Sequence, residues 1–193
     1  MVDQLSAKDW LDQGLKTLAA TGFTALKAEP LAKSLGVSRG SFYWHFADLN
    51  AYHVAILDHW REVAAERVIA DLKTAPACES PLVYLLRRAF SAPLALERAV
   101  RSWATFDPRA RAAVHSIDHR RLEYVAMLLR QTGLSTEVTR ARAQILYWAF
   151  VGYALSDKPL PKARQRAVVE ELVRMATTRS EDMLPTATLK ADA

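Results

Sequence analysis

The 193-residue sequence predicts an all-α fold of roughly nine helices, and three observations carry that expectation. Apolar residues recur at helical spacing, three and four positions apart, through most of the chain. Gly and Pro fall beside capping side chains at intervals that cut the sequence into helix-length pieces. Nothing reads as a series of alternating strands, and neither Asn-Gly nor Asp-Gly, the strongest hairpin turns, occurs.

The elements follow in order. Ser6 caps a first helix whose Leu11, Leu15 and Leu18 make one apolar stripe, and Gly22 stops it. Two short helices follow between Lys27 and Phe46, and one long helix is expected from Ala51 to about Lys73. Ser80-Pro81 and Asp107-Pro108 each set a capping side chain before a proline, the preferred opening of a helix. Further helices are expected near 81–91, 93–105, 108–132, 137–156 and 162–179, with Gly133 ending one and Ser135 or Thr136 capping the next. The expected organisation is an N-terminal unit over 4–64, a helical domain over 65–184 and a disordered tail over 185–193, where no apolar pattern remains.

Composition narrows the function classes. Half the residues (51%) are hydrophobic, enough for a sizeable core, and the 6 Gly and 8 Pro argue against a collagen-like or long disordered chain. A single cysteine, Cys78, excludes an intrachain disulfide framework and a cysteine-rich zinc module. The longest uncharged stretch, Ala143 to Ser156, is shorter than the ~20 apolar residues a bilayer span needs. No basic region followed by an apolar run opens the chain, so a cytoplasmic protein without membrane association is expected. The net charge is +5, yet residues 1–50 hold five Lys/Arg and five Asp/Glu. The excess lies between Arg87 and Arg130, where nine Arg face four acids. Charge alone does not mark the N-terminal unit as a nucleic-acid surface, so a motif has to.

The informative stretch is Leu31-Ala32-Lys33-Ser34-Leu35-Gly36-Val37-Ser38-Arg39-Gly40-Ser41-Phe42-Tyr43-Trp44-His45-Phe46. Leu31, Ala32 and Leu35 line the inner side of one short helix, with Ala32 small enough for close approach. Gly36 takes the sharp turn and Val37 plugs the corner. Ser38 caps a second helix with Phe42 and Phe46 inward at i, i+4. Two short helices about a Gly turn make a helix-turn-helix over about 27–46, whose second helix presents its N-terminal residues to the major groove. Arg39 suits phosphate or guanine, Ser41 and Tyr43 offer hydroxyls to phosphate, and Gly40 lets the backbone approach. Trp44 and His45 complete the outward set. The competing reading is a helical hairpin inside a larger bundle, with Tyr43 and Trp44 packed inward.

Together with Gly22-Phe23-Thr24 upstream, this run resembles the signature of the tetracycline-repressor (TetR) family of bacterial regulators, over residues 5 to about 56. The resemblance implies a homodimeric, non-enzymatic transcriptional repressor, released from a double-stranded DNA operator by a small-molecule effector, with no cofactor. It also implies that the helix after Asp48 joins the DNA-reading unit to the C-terminal domain and transmits ligand binding. Two positions depart from the family's pattern. Leu26-Lys27 stands where Thr or Ser usually opens the motif, so Lys27 becomes the expected phosphate contact, and Leu49 replaces a customary lysine.

The C-terminal part offers three candidate sites. The run from Ile145 to Tyr153 is apolar nearly all round and must be covered on every side. By the resemblance, a second subunit covers it in a four-helix interface through Ile145, Trp148, Ala149, Gly152, Val168, Leu172 and Met175; the alternative is a core helix of a monomer. Around Arg98, guanidinium and aromatic groups mix, so Arg101, Trp103, Phe106 and His119 are candidates for a pocket taking an anionic or aromatic ligand. The alternative is solvated arginines over core aromatics. His115, His119 and Glu123 share one helical face, but they lack both a general-base Glu of metalloprotease type and a cysteine cluster. No metal site is expected there. A helical-bundle enzyme using these three, or a regulator of the same fold that senses no ligand, are the remaining alternatives.

Overall fold

In the computed structural model, residues 5–66, 80–156, 158 and 160–178 are described. The expected tail, Cys78 and the part of the long helix beyond Glu66 lie outside them. Nine α-helices and no strand occur among the described residues. They are α1 (Ala7–Thr21), α2 (Ala28–Leu35), α3 (Arg39–His45), α4 (Leu49–Arg61), α5 (Pro81–Ser91), α6 (Ala95–Ala104), α7 (Pro108–Arg130), α8 (Thr136–Leu155) and α9 (Lys162–Thr177). A 3₁₀ turn spans Phe23–Ala25, and α4 runs into a π-turn at Glu62–Glu66.

Local chemistry explains most boundaries. Ser6 and Asp9 form a reciprocal capping box at the start of α1, and Gly22 ends it at φ 86°. Asp48 accepts from the Ala51 amide at 2.7 Å and so opens α4. Asp107 caps α7 through the Arg109 amide at 2.8 Å and accepts from the Trp103 indole at 3.0 Å. The side-chain bonds from Arg109, chiefly, hold the Asp107 carboxyl down at about 2. Two expected caps are corrected: Ser38 and Ser80 occupy N-cap positions, but neither side chain bonds its helix. At Ser38 the backbone carbonyl does the work, accepting from the Ser41 amide at 3.0 Å.

Packing gathers the helices around two apolar clusters. The first joins α1–α4 to Val100, Trp103 and Ala104 of α6 and to Ala110, Ala113, Val114 and Ile117 of α7. The second joins α5, α8 and α9 to Val125, Ala126, Leu128 and Leu129, also of α7. Helix α7 therefore serves both, with its first half in one cluster and its second half in the other. The N-terminal unit is not packed in isolation, because Phe23 stacks on Trp103 of α6 at 4.5 Å between ring centroids.

Gly14 marks the tightest approach. A Cβ built there would sit 2.0 Å from the Tyr52 hydroxyl and 2.4 Å from Ile56 Cδ1. Tyr52 cannot swing aside freely, since its hydroxyl donates to the Trp10 carbonyl at 2.9 Å. Helix propensity favours Ala over Gly by about 1 kcal/mol in a helix interior, whereas overpacking costs about 1–3 kcal/mol and more when the neighbour is pinned. The steric term wins here. Gly14→Ala should lower unfolding stability by about 1–3 kcal/mol in urea titrations, where propensity alone would raise it.

Candidate nucleic-acid interface and cavity

The turn before α3 is built on Gly36, which sits at φ 69° in the left-handed region that favours glycine. The Val37 amide then bonds back to the Ala32 carbonyl at 3.0 Å, closing the corner. One side of α3 is anchored by Phe42, fully buried, whose ring meets Trp10 edge-on at 5.4 Å and Tyr52 at 5.1 Å. Phe46, just past the helix, packs on both Phe42 and Tyr52. With that face fixed, the helical repeat turns the opposite one to solvent.

The exposed face carries Arg39, Gly40, Tyr43 and Trp44, and Trp44 is 86% exposed. Tyr43 and Trp44 therefore do not pack inside a bundle. Arg39 donates to the Tyr43 hydroxyl at 3.1 Å, one turn on, with its guanidinium 5.7 Å from the ring centre. That bond raises the Arg39 pKa further above its ordinary value. Ser38 is exposed at the N-cap, while Ser41 and His45 are half-buried on the flanks. Lys27 is exposed at the N-cap position of α2, where its side chain makes no capping bond. Lys27 thus sits at the opening of α2 and Ser38, Arg39 and Gly40 at the opening of α3, while Tyr43 and Trp44 carry the exposed face to the helix's last turn.

A cavity of about 570 Å³ lies further along the chain. Its walls come from Trp60, Val63 and Ala64 at the end of α4 and in the π-turn, and from Leu86, Ala89 and Phe90 of α5. Glu97 of α6, Arg121 and Tyr124 of α7, and Tyr147 and Phe150 of α8 complete it. Most of the lining is apolar, as in small-molecule sites generally.

A partly buried ionic ladder, built on the buried Glu97, reaches its polar side through Glu97, Arg121 and Tyr147. Arg101 donates to Glu97 Oε1 at 2.8 Å, to both Asp118 oxygens at 3.2 and 2.6 Å, and to the Tyr147 hydroxyl at 3.0 Å. Arg121 Nη1 lies 3.0 and 3.1 Å from the two Glu97 oxygens, and its Nη2 donates to the Ala64 carbonyl at 3.1 Å. The Tyr147 hydroxyl donates to Asp118 at 2.5 Å. Burial opposes the charge on both arginines, but Asp118 and Glu97 outweigh it for Arg101, and Glu97 does so for Arg121; both pKa values stay above the ordinary one. Burial, then the bond to Asp118, pushes the Tyr147 hydroxyl up to about 12. Two cations face two carboxylates, so the ladder is neutral.

The expected pocket residues are placed differently. None of Arg101, Trp103, Phe106 and His119 lines the cavity. Arg101 lies behind the wall, holding Glu97 and Tyr147 from the far side. Trp103 points into the first cluster, and Phe106 lies 60% exposed beside Phe23. His119 is a surface residue, 3.3 Å from Glu123. His115 is exposed as well, so the His115, His119 and Glu123 face opens to solvent rather than to the cavity. Among the described residues no cluster of three His, Cys, Asp or Glu could hold a metal. Sequence reading passed over Glu97, Arg121 and Tyr147. Two signals could have found them: Glu97 stands one turn before Arg101, and Arg121 one turn after the inward Ile117.

The last two helices present a third feature. Helix α8 buries Thr139, Ala143, Leu146, Tyr147 and Ala154, while Ile145, Trp148, Gly152 and Leu155 face outward. Val168 and Met175 are exposed on α9, with Leu172 half-buried between them. Ala149 is half-buried and packs on its own domain's cluster instead. Arg142 of α8 donates to the Ala176 and Thr178 carbonyls at the end of α9, so the two helices run antiparallel. No helix among the described residues is long and apolar enough to cross a membrane.

Comparison with known proteins agrees with this geometry. Residues 11–48 match the model of the bacterial regulatory proteins of the tetR family. No curated protein matches the chain. Among solved structures, a putative transcriptional regulator from Saccharomonospora viridis in complex with choline is similar at TM-score 0.69. It is 16% identical, over 87% of this chain and 95% of that one. A TetR-family member from Streptomyces coelicolor A3 gives TM-score 0.58 and 22% identity, over 87% and 98% of the two chains. BioQ with its double-stranded DNA operator gives TM-score 0.54 and 20% identity, over 91% and 100%. Residues 11–48, which hold α3 anchored by Phe42 with its far face bare, are thus similar to the DNA-binding part of tetR-family regulators, and the whole chain shares the fold of such regulators.

Proposed function

We propose that the chain works as a homodimeric repressor that a small-molecule effector releases from its operator, with residues 4–64 reading DNA and 65–184 binding effector and partner. The carrying observation is the reach of α4. At one end its Tyr52 and Ile56 are buried in the core that holds α3. At the other, Trp60 and the π-turn residues Val63 and Ala64 wall the cavity. A molecule in the cavity that fits one orientation of α4 better than another selects that orientation, and with it the placement of α3. A dimer reads half-sites about 34 Å apart, so a change in spacing between two recognition helices weakens operator binding.

The DNA contacts assigned to Lys27, Ser38, Arg39, Gly40, Ser41, Tyr43, Trp44 and His45 rest on their position at the opening of α2 and along the side and exposed face of α3. Alanine variants of Lys27, Arg39 and Tyr43 should keep native helicity by circular dichroism yet bind operator more weakly. Lys27→Ala and Tyr43→Ala should weaken all DNA sequences alike, whereas Arg39→Ala should lose about 1–3 kcal/mol of discrimination at one base pair if it reads guanine. Unchanged affinity in all three would overturn the assignment.

The dimer rests on the outward stripe of Ile145, Trp148 and Gly152 on α8 with Val168, Leu172 and Met175 on α9. Trp148 is 65% exposed in the single chain, so aspartate there is harmless to the folded subunit but buries an unpaired charge in a dimer. Trp148→Asp should sediment as a folded monomer; a folded dimer would place the interface elsewhere. Effector coupling is tested by reciprocity, because operator DNA must weaken effector binding by the factor by which effector weakens operator binding. Calorimetric titrations with and without operator duplex should differ; equal affinities would leave the ligand bound but without regulatory effect.

A further inference from the structure

We infer that the cavity takes an uncharged, largely apolar molecule bearing one hydroxyl-type head that both donates and accepts a hydrogen bond. The inference rests on the effector reading above and names the class of effector. Its first ground is charge. The ladder that backs the cavity wall is already balanced, Arg101 and Arg121 against Glu97 and Asp118, with each guanidinium engaged by a carboxylate; the remaining charged group on the wall, Arg88, is exposed to solvent and has a partner of its own. A charged ligand would add an unmatched charge to a mostly apolar space, or would have to break a buried pair to obtain a partner.

The second ground is hydrogen-bond capacity. Among the described residues, Glu97 Oε2 accepts one bond, a 3.1 Å contact from an Arg121 nitrogen that Oε1 shares. A carboxylate oxygen has room for another donor, and a guanidinium carries five N–H groups. Glu97 and Arg121 both line the cavity, so an acceptor and a donor stand side by side at one point of its wall. A hydroxyl matches both, donating to Glu97 and accepting from Arg121. A carboxylate has no proton for Glu97, and an ammonium has no lone pair for Arg121. The rest of the molecule meets Trp60, Phe90 and Phe150, which suits an aromatic or aliphatic body.

Three probes with one body and different heads test this: biphenylmethanol, biphenylcarboxylate and biphenylmethylammonium, titrated by calorimetry into the full chain at neutral pH. The alcohol should bind at least about tenfold more tightly than either ion, because only the ions bring an uncompensated charge. Ala89→Phe, which fills the cavity from α5, should abolish alcohol binding. In Trp60→Phe the tryptophan emission should no longer respond to the alcohol, which locates the site even if Ala89→Phe does not fold. An ion binding as tightly as the alcohol, binding by none of the three, or alcohol binding that survives in folded Ala89→Phe would each overturn the proposal. Operator titrations run alongside separate the two readings. An ion that binds and releases the operator sinks the ligand class but keeps the regulatory reading. An alcohol that binds without releasing the operator does the reverse.

Discussion

Glu97 holds two arginines at the seam between two apolar clusters, and much of the architecture answers to that one carboxylate. Helix α7 passes from the first cluster to the second between Ile117 and Val125, and Asp118 and Arg121 lie in that interval. Removing the Glu97 carboxylate would leave Arg101 and Arg121 buried with a partner lost, a loss of about 3–5 kcal/mol for a broken buried pair. The same group shapes the cavity wall and, through Arg121, ties α7 to the Ala64 carbonyl beyond α4. Apolar packing cannot fill a seam occupied by a charged ladder as densely as it fills either core. The cavity lies beside that seam, with Glu97 and Arg121 in its wall.

The reading head obeys a different constraint. Seven residues of α3 cannot hold an orientation by helix propensity alone, since isolated helices shorter than ~12–15 residues are marginal in water. Orientation comes from one buried ring, Phe42, set among Trp10, Phe46 and Tyr52 from three other segments. Tyr52 belongs to α4, so α3 is packed on α4 as well as on α1. His53, the next residue, accepts or donates at the Leu26 carbonyl (3.1 Å) and packs edge-on to Trp103 of α6. Burial keeps the His53 pKa below its ordinary value, which suits a neutral ring among aromatics. The aromatic contacts from Phe42 through Tyr52 and His53 to Trp103 therefore connect the reading head to the C-terminal helices by packing alone.

What the sequence disclosed, and what it did not, divides along physical lines. Caps and breaks depend on residues within three or four positions, so Ser6, Gly22, Gly36, Asp107 and Ser135 were legible, and α5 begins and ends where Ser80-Pro81 and the apolar spacing predict. The inward set of α3 was legible for the same reason. Pairing between helices depends on how each helix is rotated in the packed state, and no local pattern fixes that. Glu97 and Arg121 are 24 residues apart, so their contact was out of reach. Trp103 and Phe106 drew attention as aromatics near arginines, but they lie on faces of α6 and its end that turn toward Phe23, away from the cavity. The arginine excess proved partly structural too: Arg101 and Arg121 both pair with the buried Glu97, and Arg101 with Asp118 as well.

Helix α8 shows how these constraints meet. An apolar run without a polar face does not reveal which side is inside; packing decides, and it assigns neighbouring residues to opposite duties. Tyr147 turns inward to the ladder and Phe150 to the cavity, while Trp148 and Gly152 turn out. Covering an outward tryptophan of this exposure contributes about 3 kcal/mol per subunit by apolar area, which explains why such a face suits a partner helix better than water. In the proposed dimer, α8 is then fixed to the twofold axis on one side and forms the cavity wall on the other. Helix α4 forms another wall of the cavity and carries the reading head. In that dimer the distance between two recognition helices would be set across the cavity, from α8 at the axis to α4 at the DNA. On the proposed function, a ligand lodged between them would act on that distance without touching either the interface or the operator.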